Sequence, residues 1–126
     1  MTEIQALLLI KSILESADIY GIESFLAEDC EYMSTGRGII GRNRNETIEF
    51  LSSMAESIKA DNVPVTCKVM HITDVYEEDA LFHEGRHGLT VSYESGDNYV
   101  YMIFLDVNDE GLVDRIVSSQ ENYSIE

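Results

Sequence analysis

The chain has 126 residues, of which 44% are hydrophobic and only one is proline. This composition is typical of a folded protein, and the length fits a single domain spanning residues 1–126. Acidic residues outnumber Lys and Arg by 24 to 8, which gives a formal net charge of −16. Because such a chain repels phosphate backbones and anionic lipid surfaces, we expect it to bind neither nucleic acid nor membranes.

The two cysteines, Cys30 and Cys67, lack the paired spacing of a disulfide framework or a zinc knuckle. The N-terminus has no basic region of the kind that opens a signal peptide. No apolar run approaches the roughly 18 residues needed to span a bilayer. We therefore expect a cytoplasmic protein that uses neither a metal nor another cofactor.

Three helices are predicted in the first half of the chain. The first, Thr2–Ala17, opens on a capping box in which Gln5 follows the cap by three positions. The second, Asp18–Asp29, is short and is capped by its first residue. The third covers about Asn45–Lys59 and repeats apolar residues at helical spacing. The predicted buried face of the first helix consists of Leu7, Ile10, Leu14 and Ala17, with Ile4 and Leu8 at its margin.

The rest of the chain is predicted to be mostly β-structure. Cys30–Ser34 has the pattern of a short strand, and the glycine-rich Thr35–Gly41 is predicted to be a flexible loop. Four longer strands follow, rich in β-branched and aromatic residues: Val65–Tyr76, Ala80–Tyr93, Asn98–Val107 and Leu112–Tyr123. Short polar connections make sequential strands antiparallel neighbours. The sequence therefore predicts an α+β fold with three N-terminal helices packed on a curved, mostly antiparallel sheet.

Three stretches add to this order of elements: Asp18–Asp29, Gly41 with the helical segment Ile48–Leu51 after it, and Asp109–Gly111 before the last strand. Together they resemble the nuclear transport factor 2-like superfamily, to which ketosteroid isomerases and polyketide cyclases belong. The resemblance covers nearly the whole chain. It implies a cone-shaped barrel with a ligand pocket inside, and a homodimer formed through the outer face of the sheet.

The isomerase mechanism can be compared with this chain residue by residue, with Asp18–Asp29 fixing the alignment. The base aspartate of the isomerases then falls at Ser34, their oxyanion tyrosine at Ile10 and their oxyanion aspartic acid at about Ile103. Proton abstraction next to a ketone needs a base and preorganised donors, which these side chains do not supply. The isomerase mechanism in that form is therefore not predicted.

The resemblance also implies which alternate residues of the strands face the pocket. Two of them, His87 and Tyr101, are the candidate catalytic groups, because imidazole titrates near neutral pH and a phenol can donate a hydrogen bond. The candidate ligand-binding residues are Tyr32, at the rim, and His83, Tyr93, Tyr99, Ile103, Ser118 and Gln120. Tyrosines suit a pocket for a small hydrophobic or aromatic molecule. The alternative for the tyrosines is to fill a sheet face or a dimer interface. For the two histidines it is a structural role, and for Ser118 and Gln120 it is that of hydrogen-bonded polar groups in the core.

The segment His83–His87 reads HEGRH and matches the zinc-protease pattern H-E-x-x-H. That site needs both histidines on one face of a helix, where residues four apart lie about 5–6 Å from each other. On a strand the same spacing spans about 13 Å, which is too far for one zinc ion. Gly85, Gly88 and the β-branched residues that follow favour a strand, so the sequence predicts no metal site.

Arg37, Arg42 and Arg44 are three of the eight basic residues and lie within eight positions of each other. A local positive patch near the expected mouth of the cone is suited to a carboxylate or phosphate group of a ligand. The alternative is charge balance against neighbouring acidic residues.

Three functions are compatible with these patterns. The first is a small-molecule-binding protein, non-catalytic or of unknown activity. The second is an isomerase, cyclase or dehydratase of the same fold that uses His87 and Tyr101. The third is a protein-interaction module whose pocket is filled by side chains. The sequence does not decide whether the protein is an enzyme.

Overall fold

A computed structural model describes residues 1–62, 64–75, 86–93, 101–119 and 123–125. Over these residues the chain forms two α-helices, α1 (Glu3–Ser16) and α2 (Arg44–Asp61), and seven strands. The strands are β1 (Leu26–Ser34), β2 (Gly38–Gly41), β3 (Val65–Val75), β4 (His87–Tyr93), β5 (Tyr101–Val107), β6 (Val113–Ser119) and β7 (Tyr123–Ile125). Neither described helix is long and apolar enough to cross a membrane.

Helix α1 begins where the capping box predicts. The Thr2 hydroxyl accepts a hydrogen bond from the Gln5 amide at 3.2 Å, and the Gln5 side chain accepts one from the Thr2 amide at 2.9 Å. The helix ends at Ala17, whose φ of 54° is left-handed. Its buried residues are Ala6, Leu7, Ile10, Ile13 and Leu14. Ile4 and Leu8, expected at the margin of this face, are 42% and 47% exposed, so the buried stripe is narrower than predicted.

The predicted helix over Asp18–Asp29 is wrong. Ile22–Ser24 forms a single turn of 3-10 helix, and the chain enters β1 at Leu26. Gly21 precedes that turn with a φ of 82°, a conformation that interrupts an α-helix. Leu26 is 1% exposed and pairs with Val113 on β6, so pairing with the sheet overrides the local helical pattern. The described chain therefore has two α-helices where the sequence predicts three.

The strands form one curved sheet in the order β2-β1-β6-β5-β4-β3-β7. Strands β3 to β6 are neighbours in chain order and antiparallel, as the short predicted connections require. Strands β1 and β6 are parallel, so the sheet is mixed. The predicted flexible loop Thr35–Gly41 contributes β2, which pairs antiparallel with β1. The α+β class predicted from the sequence is confirmed.

The two faces of the sheet carry different residues, in the alternation predicted for β4 to β6. The face under the helices contributes Leu89, Val91, Ile103, Leu105 and Ile116 to the hydrophobic core shared with α1. The opposite face carries Met102, Phe104 and Val117, which are at most 4% exposed within the single chain. The core therefore lies between the sheet and the helices, while the outer face of β5 and β6 is covered as well.

Candidate functional site

A cavity of about 400 Å³ lies between α2, the β1–β2 turn and the adjoining ends of β5 and β6. Its lining residues are Tyr32, Ser34, Gly36, Arg37, Ile40, Phe50, Met54, Tyr101 and Ser118. The volume falls within the range of about 300–1,000 Å³ that is usual for small-molecule sites. The sequence-predicted residues found in this lining are Tyr32, Tyr101 and Ser118.

The register of three strands brings the polar lining residues onto one face. Ser118 on β6 lies opposite Ser34 on the parallel strand β1 and opposite Ile103 on the antiparallel strand β5. Tyr101 and Tyr32 each stand two positions from a member of this row, so both side chains share its face. Hydroxyl groups from three different strands are thereby collected at one end of the sheet.

Helix α2 supplies an apolar wall. The rings of Tyr32 and Phe50 are 4.6 Å apart between centroids and tilted by 45°, which is a favourable aromatic arrangement. The Tyr32 hydroxyl lies 4.0 Å from the sulfur of Met54, one helical turn beyond Phe50. Tyr32 is only 1% exposed, so it stands deeper than the rim position predicted for it. One side of the cavity is therefore aromatic and polarisable.

The turn between β1 and β2 contributes the exposed lining residues Gly36 and Arg37, and we call this side of the cavity its mouth. The Thr35 amide donates a hydrogen bond to the Ser118 carbonyl at 3.0 Å, which attaches this turn to β6. The Arg37 amide donates one to the Ser34 carbonyl at 3.2 Å and closes the turn. Gly38, with a φ of 80°, then leads the chain into β2. These contacts fix the backbone at Arg37, whose side chain is exposed and lines the cavity.

His87 does not lie beside Tyr101. The register pairs Tyr101 with Val91, and His87 stands four positions before Val91, about 13 Å along the strand. At that end of β4 the His87 amide donates a hydrogen bond to Glu3 at 3.0 Å, and the imidazole lies 5.3 Å from the ring of His71. The two candidate catalytic residues are therefore both present on the predicted face but are not assembled into one site.

Arg86 anchors this second cluster. Its guanidinium pairs with Glu3 at 3.2 Å and with Asp106 at 2.7 Å, and it also donates to the Leu105 carbonyl. These contacts attach the first turn of α1 to β5 next to the start of β4. The surroundings of His87 are thus occupied by protein groups that tie elements together, which favours the structural alternative for this histidine.

The remaining predicted residues have different outcomes. Ile103 is fully buried in the core and does not line the cavity. His83, Tyr99 and Gln120 lie outside the described residues, as does the side chain of Tyr93. Because His83 is among them, the HEGRH spacing stays untested. Within the described part of the chain, no group of three His, Cys, Asp or Glu side chains could hold a metal ion.

Several lining residues of the cavity are not predicted from the sequence. Phe50 and Met54 are spaced by four on α2, a spacing that places both on one helical face. They stand one position before the core residues Leu51 and Ala55, so the apolar repeat that predicts the core face of α2 does not include them. Ser34 occupies the position at which the isomerases have their base aspartate. The sequence does not predict that it lines a pocket.

The described lining can donate hydrogen bonds but offers no ordinary general base. It contains hydroxyls and one guanidinium, and it lacks carboxylate, imidazole, thiol and amine groups. The two free cysteines are buried elsewhere in the core. Burial raises the pKa of both Cys30 and Cys67 to about 12, which keeps the thiols protonated at neutral pH.

Neither protein-family models nor curated proteins give a match to this sequence. Solved structures, in contrast, include proteins with a similar fold. An LEH-like epoxide hydrolase of M. tuberculosis is similar at 18% identity and a TM-score of 0.59, over 94% of this chain and 82% of the other. A nuclear transport factor 2-like protein from Novosphingobium aromaticivorans is similar at 17% identity and a TM-score of 0.58, over 97% and 82%. The chain has the nuclear transport factor 2-like fold, which confirms the resemblance at the level of fold.

A designed protein is also similar to this chain in structure. A de novo designed protein with a curved β-sheet is 14% identical to this chain, with a TM-score of 0.61 over 96% of this chain and 88% of the other. Identities this low carry the fold and nothing about chemistry. Function has to be argued from the cavity itself.

Proposed function

We propose that the protein binds a small hydrophobic or aromatic molecule in the cavity beside α2, without acid–base catalysis. The observation that carries this proposal is the division of the lining. Tyr32, Phe50, Met54 and Ile40 supply apolar surface, while Ser34, Ser118 and Tyr101 supply hydroxyls and Arg37 a guanidinium. Pockets of this kind, largely apolar with a few placed polar groups, are typical of ligand sites.

The cone-shaped barrel predicted from the family resemblance is part of this proposal. A sheet that curls around the core face would enclose the row of hydroxyls on β1, β5 and β6 and leave the β1–β2 turn as the entrance. The curvature of the sheet and the position of the cavity at one end of it support this arrangement.

The two alternatives have less support. An isomerase, cyclase or dehydratase built on His87 and Tyr101 requires the two side chains to converge, and the strand register keeps them about 13 Å apart. An epoxide hydrolase is among the fold neighbours, but its activity is a property of that protein. An interaction module with a filled pocket is disfavoured by a cavity of about 400 Å³.

A homodimer through the outer sheet face also belongs here as a proposal. One feature constrains it: Met102, Phe104 and Val117 on that face are already buried within one chain. We therefore expect a partner subunit to contact a part of the outer face that does not include the middle of β5 and β6.

The binding proposal is tested by blocking the cavity. Ser34→Leu adds an apolar side chain inside the lining, whereas Ser53→Leu makes the same change at an exposed position of α2. Small aromatic compounds would be screened by amide chemical shifts. We expect hits that shift Ser118 and Phe50, and a loss of affinity of at least about tenfold in Ser34→Leu alone, equivalent to ~1.4 kcal/mol. Compounds that bind both variants equally, or a screen without shifts at the cavity, would contradict the proposal.

A further inference from the structure

Arg37 is the one charged residue in the described lining of the cavity. The other lining residues are neutral, and no carboxylate stands among them. The turn that carries Arg37 is hydrogen-bonded to β1 and β6 through its backbone, so the main chain at Arg37 is fixed beside the cavity.

Arg37 has no ion-pair partner among the described residues, although the chain is strongly acidic. Acidic residues outnumber basic ones by 24 to 8, and Lys11 and Arg86 are both paired with carboxylates. None of the ion pairs found among the described residues involves Arg37, Arg42 or Arg44. Charge balance, the alternative considered for the three arginines, is therefore not seen in the described part of the chain. The guanidinium of Arg37 is available to a ligand.

We propose that the ligand carries a carboxylate on an aromatic or apolar body and that Arg37 binds this carboxylate at the mouth. The inference rests on the binding role proposed above and adds the chemical class of the ligand. A guanidinium matches a carboxylate in a planar, two-pronged arrangement. Ser34 and Ser118 lie opposite each other on the adjacent strands and can donate to the same oxygens. The body of the ligand then contacts Phe50 and Met54.

A carboxylate fits better than a phosphate monoester on two grounds. A phosphate dianion is usually held by several donors, often the backbone amides of a helix N-terminus, whereas this mouth offers one guanidinium and two hydroxyls. The net charge of −16 also repels a ligand in proportion to the ligand's own charge. A monoanion is therefore penalised about half as much as a dianion.

The test compares each acid with a neutral amide that has the same apolar body. Naphthylacetate, cyclohexylacetate and phenylbutyrate would each be compared with the corresponding primary amide, and naphthyl phosphate would represent the phosphate class. Binding is measured by amide chemical shifts at Ser34 and Ser118 in the wild-type chain, in Arg37→Met and in Arg42→Met. Arg42→Met is the matched control, because it removes the same charge from a residue outside the lining.

We expect the acids to bind about tenfold more tightly than their amides, a preference that Arg37→Met abolishes and Arg42→Met retains. Equal affinities of acids and amides at the cavity, or tighter binding of naphthyl phosphate than of naphthylacetate, would overturn the carboxylate inference and leave the binding role intact. A preference lost equally in both variants would overturn the assignment to Arg37. If no probe shifts the cavity residues, the binding role fails, and this inference fails with it.

Discussion

Thr47 on α2 is fully buried although its side chain is polar. Its hydroxyl donates a hydrogen bond of 2.9 Å to the Cys30 carbonyl on β1, which satisfies the group and attaches α2 to the sheet beside the cavity wall. Gly41, the last residue of β2, lies directly against this threonine. A Cβ atom at Gly41 would stand 2.9 Å from the Thr47 amide nitrogen and 3.0 Å from its Cα, so the close approach requires glycine.

Gly41→Ala is therefore expected to destabilise the protein by about 1–3 kcal/mol, because two of the three nearest atoms belong to the Thr47 backbone and cannot rotate away. The measurement is urea unfolding of the purified variant. Gly36→Ala is the matched control, since nothing lies within 4 Å of a Cβ atom there. The control should be neutral or more stable by up to about 1 kcal/mol through the unfolded chain. Equal stability of the two variants would show that the β2–α2 contact is looser than described.

Individual residues of the site were predictable to different degrees. Tyr101 and Ser118 could be assigned because period-two alternation fixes which residues share a face once one position is known. The same alternation predicts that His87 lies on that face. It does not predict at which end of the sheet the cavity forms. That depends on where α2 crosses the sheet, and the side chains that decide it are Phe50 and Met54.

Helix α1 supplies hydrogen-bond partners to backbone groups of β3 that no described strand pairs with. Strand β7 pairs with β3 only at Ile72–Val75, which leaves the backbone of Cys67 without a strand on that side among the described residues. The Lys11 ammonium donates to the Cys67 carbonyl at 2.9 Å, and the Cys67 amide donates to the Glu15 carboxylate at 3.0 Å. Two charged side chains one turn apart on a helix thus replace a missing strand.

We expect Glu15→Gln to lower the free energy of unfolding by about 1 kcal/mol at pH 7, since it weakens both the ion pair and the bond from Cys67. Burial opposes ionisation of Glu15, but Lys11 and the Cys67 amide outweigh it and lower its pKa below the usual 4.5. A lowered pKa in the folded state gives stability that is present above pH 4.5 and is lost as the pH falls. Thermal unfolding from pH 3 to pH 7 measures this.

The difference between wild type and Glu15→Gln should accordingly shrink on acidification. Glu56→Gln, the same change at an exposed position of α2, serves as control and should differ little from wild type at any pH. A pH-independent difference for Glu15→Gln would mean that the side chain acts through packing and not through its charge.

Elements with strong local determinants were predicted well. The capping box at Thr2 and the apolar spacing of α1 and α2 depend on neighbours within a few positions, and both helices form close to their predicted bounds. The segment Asp18–Asp29 carries a helical pattern too, but its C-terminal part pairs with β6. A partner about 87 positions away in sequence cannot be read from a local pattern, so this element was assigned wrongly.

For the molecule as a whole, the core between sheet and helices determines how the chain responds to alkaline conditions. Burial raises the pKa of Cys67 from 9.0 to about 12, to which the charge of Glu15 adds. Burial likewise raises the pKa of Cys30 to about 12, with further contributions from Asp114, Asp29 and Glu31. Each thiol ionises more readily in the unfolded chain, so folding favours the protonated form.

A thiol pKa that is higher in the folded state gives stability that is complete below pH 9 and is lost as the pH rises toward 12. Cys67→Ala removes one such group. Between pH 8.5 and pH 10, we expect the wild-type chain to lose about 1 kcal/mol more stability than Cys67→Ala does. Urea unfolding at several pH values measures the two slopes.

Val91→Ala is the control for this comparison. Val91 is buried and lies opposite Cys67 on β4, and the substitution shortens its side chain without removing a titratable group. It should be less stable than wild type by about 1–3 kcal/mol at every pH and keep the wild-type slope. Identical slopes for all three chains would indicate that Cys67 is solvated in the folded state.

Local patterns in the sequence were sufficient to predict the α+β class, the two long helices and the antiparallel order of β3 to β6. Each of these rests on periodicity, caps or short connections, which act over a few residues. Only contacts in the folded chain bring Leu26–Asp29 into the sheet, place His87 beside Glu3 and form the cavity where α2 meets β1, with Arg37 at its mouth. These features depend on contacts between residues far apart in the chain, because packing and strand pairing there outweigh local preference.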